Sequence, residues 1–416
     1  MIDLKLPVQN IVFQRGNDNS TRVPIVGNTT VELQARLVPT DGGQSTDNIT
    51  LPPGEFNTSV VATGGNYTLE LIGGTESLIV TNIGVGEVIC FFGHSYLHAS
   101  SDGGQKQAQS KLVRCPGKSP QNYDSDFSLD FVNLTTAQNV GPFGGGGPYF
   151  YGELGDAIVR RVGVPVLFYN CAFGGSQISE SYKLLNGIPF PAPFSSPVPR
   201  HPLKPLEICL QNYIPVTGLR CMVVEHGYND RGLGEEQFPK HLRFVLDHIR
   251  VAYNMPDLAY VLNIEDTIMG MSNIPALQRQ VLSSYTNIYK GVDFNSQAWQ
   301  NPSLRANNNH PSRGAGFTQL ALDMDTALAS VFTLAKPLFG ESETAYPVES
   351  FASIVAQYET DQAAPIAQDT ANLSVIIAAC ICLYFLIPGS ENLKLARGAI
   401  VSILAASVYK LFKGSV

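Results

Sequence analysis

Charge is scarce in this chain. Only 15% of its 416 residues are Asp, Glu, Lys or Arg, the net charge is −8, and the body of the sequence holds no extended basic run. Nucleic acid is therefore not an expected partner, because phosphate binding requires clustered cations. The seven cysteines (Cys90, Cys115, Cys171, Cys209, Cys221, Cys380, Cys382) are scattered, odd in number and without CxxC or Cys/His spacing. Neither a disulfide framework nor a structural metal is expected, and Cys90, Cys171 and Cys221 read as small buried hydrophobes within apolar runs. There is a single tryptophan, Trp299, read as either a sugar-stacking platform or a core plug. The opening residues, MIDLKLPVQNIVFQRGNDNS, lack the basic and continuously apolar regions of a secretory signal.

The residues that are present divide the chain by texture. Residues 1–85 alternate apolar and polar positions between Gly, Pro and Asn clusters, as in TVELQARLVP and NYTLELIGG, and predict a small all-β, sandwich-like module. From residue 86 to about 335, apolar strands alternate with helical segments. EVICFFG, VPVLFYN, LRCMVVE and LAYVLNIED read as strands, and YFYGELGDAIVRRVG, EQFPKHLRFVLDHIRVAY and GAGFTQLALDMDTALASVF as helices. That alternation predicts an α/β domain with a parallel sheet, whose chemistry gathers at the carboxyl ends of its strands. Residues 336–370 read as a linker. Residues 371–416 form a hydrophobic tail: Ala371 to Ile387 carries no charge, Pro388 and Gly389 interrupt it, and a second apolar run ends near Phe412. A helical hairpin or membrane anchor is expected there, so the protein is expected at a membrane through residues 371–412, on a side the sequence leaves open.

Three strand ends and one late histidine carry chemistry-bearing residues. They are Gly93-His94-Ser95, then Gly174-Gly175 in NCAFGGS, then Tyr228-Asn229-Asp230 in HGYND, and His310 in NNNHPS. Each alone is an ordinary turn sequence; their common placement after strands points to acyl transfer. Ser95 supplies a nucleophile and His310 a base with an unperturbed pKa near neutrality. The amides of Ser95 and Gly175, with the Asn229 side chain, supply donors for an oxyanion.

Ser, Gly, Asn and His in that order, in turns after strands, resemble the SGNH (GDSL-type) hydrolases, in the branch of carbohydrate esterases related to sialate O-acetylesterase. GEVICFFGHSY stands where that branch writes GEVFVVAGQSN, and VGVPVLFYNCAFGGSQ stands where it writes LGVPVGFVNVAVGGTS; a VFQR-like start, here IVFQRGNDNS, also recurs there. The resemblance covers about residues 8–330. It implies a flavodoxin-like three-layer α/β/α fold and a serine esterase that removes acyl groups, above all O-acetyl, from carbohydrate without metal or cofactor. By position it makes Ser95 the nucleophile, His310 the base, and Gly175 and Asn229 oxyanion donors. His94, Tyr96, Gly174 and Tyr228 become substrate-binding residues, and His98 stands close enough to touch substrate or tune Ser95.

The sequence departs from that pattern at two places. His94 and Tyr96 replace a glutamine and an asparagine, and Asn308 and Asn307 stand where the family places the triad Asp. In a Ser-His-Asp triad, exchanging that Asp for Asn costs about 10⁴-fold in rate. Glu225, Asp230 and Asp266 are candidates to replace the acid. The alternatives are a slow Ser-His dyad, or an impaired domain kept for glycan binding or assembly. Partners expected are an acylated carbohydrate and a lipid membrane; association of the chain with itself is left open.

Overall fold

A computed structural model describes residues 1–98, 106–117, 129–135, 139–143, 147–190, 200–232, 235–266, 272–306 and 310–332. The chain divides into two units, Met1–Phe351 and Ala352–Val416. The expected linker and hydrophobic tail, residues 336–416, and Asn307 and Asn308 lie outside the described residues. No helix among the described residues is long and apolar enough to cross a membrane.

The N-terminal segment is built from strands, as its period-two patterning requires. They are β1 (Ile2–Leu6), β2 (Val12–Gln14), β3 (Ser20–Thr29), β4 (Leu33–Pro39), β5 (Ile49–Leu51), β6 (Gly54–Thr63), β7 (Gly65–Gly73) and β8 (Glu76–Gly93). Strands β1, β3 and β6 form an antiparallel sheet, while β4 pairs with β5 and β7, and β7 with the first half of β8. The 18-residue β8 does not stop at the expected boundary. Its residues 76–82 alternate between partly buried and exposed, and from Ile83 onward every residue is buried. The first half is thus a half-solvated antiparallel strand and the second an interior parallel one.

That second half is the centre of the α/β sheet. The remaining strands are β9 (Val113–Pro116), β10 (Phe131–Asn133), β11 (Val166–Asn170), β12 (Cys221–Glu225), β13 (Ala259–Ile264) and β14 (Ile288–Asp293). They run in the order β10-β9-β11-β8-β12-β13-β14, parallel except for β10. Strands β11, β12 and β13 have no exposed residue. Since β11 and β12 leave β8 on opposite sides, the chain reverses direction across the sheet at β8, the place where open α/β sheets form a crevice.

The helices are α1 (Ser95–His98), α2 (Tyr151–Val162), α3 (Ile178–Leu185), α4 (Lys204–Ile208), α5 (Ile214–Thr217), α6 (Phe238–Ala252), α7 (Ile274–Ser284) and α8 (Ala315–Ala329). Leu154 and Ile158 of α2 and Leu320, Met324 and Leu328 of α8 share one buried cluster with Phe91, Phe168 and Val223. On the opposite face Tyr260 of β13 donates its hydroxyl to Leu246 O of α6 at 2.7 Å. Helix α2 stops where its sequence says it should: Gly163 takes φ 69° and its N–H returns to Val159 O.

Candidate active site

The turn after β8 is set by a close approach that only glycine allows. A Cβ on Gly93 would meet Glu225 O of β12 at 2.5 Å. His94 N–H then bonds Glu225 O at 3.1 Å, and Leu97 and His98 N–H bond His94 O, so the chain turns directly into α1 with Ser95 as its first residue. Ser95 is half-buried, and its Oγ lies 2.7 Å from His310 Nε2, 215 residues further along the chain.

His310 is held by a short hairpin. Arg305 and Pro311 pair as an antiparallel bridge, Ala306 N–H bonds His310 O at 2.7 Å and Ser312 N–H bonds Leu304 O at 2.7 Å. The hairpin is pinned from below by Arg305, whose guanidinium pairs with Asp266 at 2.9 Å and lies 4.9 Å from the Trp299 ring. Tyr96, also bonded to Asp266 through its hydroxyl at 3.2 Å, meets the His310 ring edge-on at 5.1 Å.

The glycine loop after β11 sits beside this pair. Phe173 N–H bonds Gly93 O at 2.8 Å, tying the loop to the end of β8. Gly175 is exposed in the left-handed region at φ 81°, a conformation that disfavours any side chain. The turn after β12 locks onto the same loop. Asn229 donates one side-chain N–H to Ser176 O at 2.9 Å, and the Asp230 carboxylate accepts from Ile178 and Ser179 N–H, capping α3. Burial pushes the Asp230 carboxyl up to about 6, against the pull of those two amides.

The other expected positions fall differently. His94 and Tyr96 are wholly buried, so neither ring presents itself to a ligand in the cleft. Tyr228 is half-buried, with the Arg231 guanidinium 3.6 Å over its ring. His98 lies against the Gly174 backbone and near Phe143 and Phe173, and burial pushes its pKa down to about 4, so it is uncharged at neutral pH. Trp299 is buried and donates Nε1–H to Asp323 at 2.8 Å; it is a core residue and not a stacking platform. Of the three carboxylates that could replace the missing acid, Asp230 caps α3, Asp266 pairs with Arg305, and Glu225 accepts from Asn263 inside the sheet.

Two further clusters were not anticipated. Cys90, Cys171 and Cys209 bring their sulphurs within 4.8 Å of one another, all buried. Their donor type suits a soft cation, but no fourth His, Cys, Asp or Glu joins them among the described residues. His94, Glu225 and Glu265 also converge within 4.8 Å. Here Tyr96 N–H points at His94 Nδ1 at 3.3 Å, which leaves the ring proton on Nε2, 2.5 Å from Glu265 Oε1. An Nε2 that carries a proton has no lone pair for a metal, so the geometry is that of a hydrogen-bonded network. Glu265 sits beside Asp266 at the end of a legible strand, and only its neighbour attracted notice, because nothing in the sequence says which of two adjacent carboxyls points inward.

No family model and no curated protein matches the chain. Among solved structures it is similar to a carbohydrate acetylesterase from Xanthomonas citri, at 16% identity over 80% of this chain and 75% of that one, with a TM-score of 0.49. It is similar to a protein from Arabidopsis thaliana at 15% identity, covering 59% of this chain and 98% of that one, with a TM-score of 0.40. A third similar structure is a carbohydrate esterase whose active site displays divergent catalytic and non-catalytic binding functions, at 12% identity over 79% and 95% of the two chains and a TM-score of 0.34.

Proposed function

We propose that this protein is a serine ester hydrolase of SGNH type that removes acyl groups, foremost O-acetyl, from carbohydrate. The observation that carries the reading is the 2.7 Å contact between Ser95 Oγ and His310 Nε2 at the carboxyl rim of a parallel sheet, beside the point where its strand order reverses. The carbohydrate class rests on the block sequences GEVICFFGHSY and VGVPVLFYNCAFGGSQ.

In this reading Ser95 Oγ attacks the ester carbonyl while His310 Nε2 takes its proton. The negative charge on the former carbonyl oxygen is met by the amides of Ser95 and Gly175 and by the second side-chain N–H of Asn229, the first being spent on Ser176. Collapse breaks the ester C–O bond, and His310 returns the proton to the departing sugar hydroxyl. Water, deprotonated by the same imidazole, then adds to the acyl carbon; the bond to Ser95 Oγ breaks, His310 returns the proton to Oγ and the acid leaves. A second reading, an impaired glycan-binding domain, is favoured by Asn307 and Asn308 in place of the acid.

Hydrolysis of p-nitrophenyl acetate separates the two. Ser95→Ala and His310→Ala should each lower kcat by at least about 10³-fold, since the pair acts as a unit. Equal rates for wild type and Ser95→Ala would overturn the hydrolase reading and leave the binding one.

A further inference from the structure

Beneath the nucleophile, at the centre of the sheet, lie two carboxyl groups that cannot both be charged in the arrangement observed. Glu225 and Glu265 are fully buried on adjacent strand ends. Each keeps one oxygen, Glu225 Oε1 and Glu265 Oε2, with no hydrogen-bond partner among the described residues. Their other oxygens are taken: Asn263 Nδ2 donates to Glu225 Oε2, and His94 Nε2 lies 2.5 Å from Glu265 Oε1. Unpaired buried carboxylate oxygens are costly, and two carboxylates this close and this dry repel each other.

We propose that one proton, resident on Glu225 and donated to Glu265, closes a buried chain Glu225–Glu265–His94 that fixes the turn carrying Ser95. A single hydrogen bond from Glu225 Oε1–H to Glu265 Oε2 satisfies both orphaned oxygens. Glu265 then accepts from both sides, His94 Nε2–H on one oxygen and Glu225 on the other. His94 Nδ1 is left to accept Tyr96 N–H, which holds the amide next to Ser95. These are positioning residues; none of them touches the reacting atoms. Only their catalytic consequence rests on the hydrolase reading above.

The surroundings agree. Burial pushes Glu225 well above the ordinary carboxyl range, and the neighbouring Glu265 adds to the push. Glu265 is held below its ordinary value, burial being outweighed by His94 and Glu225. The other ionisable groups facing the pair do not compete for this proton. On the β12 side, burial drives His226 far down, and Asp230 lies near 6. Tyr228 faces Glu265 through its backbone amide. On the β8 and β13 sides, burial raises Tyr96, Tyr149 and Asp266, the last being paired with Arg305. Because the folded protein holds Glu225's proton more tightly than the unfolded chain, the stabilisation is complete below the ordinary carboxyl pKa. It is lost as pH rises through the raised folded value.

The test uses Glu225→Gln and Glu265→Gln in the full chain. Glutamine at 225 mimics the protonated acid, accepting from Asn263 and donating to Glu265. Glutamine at 265 either turns its N–H₂ toward the protonated Glu225 or makes that buried carboxyl give up its proton, and both are costly. At pH 7, E225Q should melt within about 2 °C of wild type and E265Q more than about 5 °C lower. The wild-type minus E225Q infrared difference spectrum should contain the carbonyl band of an un-ionised carboxyl at pH 7. The alkaline decline in melting temperature should flatten in E225Q, and the alkaline limb of kcat with p-nitrophenyl acetate should move to higher pH. Equal melting temperatures for the two variants, or no un-ionised carboxyl band at pH 7, would overturn the proposal. A wild type inactive on the ester would instead sink the hydrolase reading, with the infrared and melting results still deciding the proton.

Discussion

At Gly175 the backbone takes φ 81°, and the residue is exposed beside the Ser95–His310 pair. An L side chain in that region costs about 1–2 kcal/mol, a small loss for a domain of this size. The amide is a different matter, since one oxyanion donor is worth about 10²–10³-fold in kcat. Gly175→Ala should therefore lower the melting temperature by only about 2–6 °C while lowering kcat on p-nitrophenyl acetate by about 10²-fold with KM little changed. A kcat that follows the stability loss alone would show that this amide does not face the oxyanion. Ser95, Gly175 and Asn229 follow recognisable strands and His310 precedes the last helix, so these four positions could be picked out from order and spacing, and the contact of Ser95 with His310 agrees with that choice. The inward turn of His94 could not, because its partner Glu265 lies 171 residues away and becomes a neighbour only through parallel pairing of β8, β12 and β13.

The elements with unbroken apolar runs, β11, β12 and β13, were legible because burial on both faces leaves no other composition open to them. Strand β14, IYKGVD, was not, since an edge strand keeps exposed polar positions. The hairpin around His310 was also missed. Its stability comes from Arg305, an ordinary residue in the sequence, which is buried against Asp266, Phe294 and Trp299. Removing one member of a buried ion pair strands the other, at about 3–5 kcal/mol. Arg305→Met should lose about that much in urea denaturation and lower kcat, because the His310 hairpin loses its anchor. Asp266→Asn in the same chain should restore at least half of the stability, since no unpaired charge remains. If the double variant is no more stable than the single one, the guanidinium acts through packing on the aromatic rings and not through its charge.

At the scale of the whole molecule, β8 joins what composition divides. The change of texture near residue 86 falls inside one continuous strand. The two halves are also tied by charge. Glu87, wholly buried, accepts from Arg15 at 2.8 Å on the N-terminal side and from Arg220 at 2.7 Å on the α/β side. Arg114 of β9 reaches back to Ile11 O at 3.2 Å and to Asn82 O at 2.5 Å. A strand shared by two sheets cannot fray in one without exposing the other's central hydrogen bonds, so the β-rich segment and the α/β sheet should unfold together. Trp299, the sole tryptophan, is buried in the α/β part and reports on that part alone. Arg15→Ala, far from it in the β-rich segment, should weaken the Glu87 cluster by about 3 kcal/mol. It should move the tryptophan-fluorescence midpoint and the far-UV circular dichroism midpoint to lower urea by the same amount. If the fluorescence midpoint stays fixed while the dichroism midpoint falls, the two halves unfold independently and β8 is a connector, not a shared core strand.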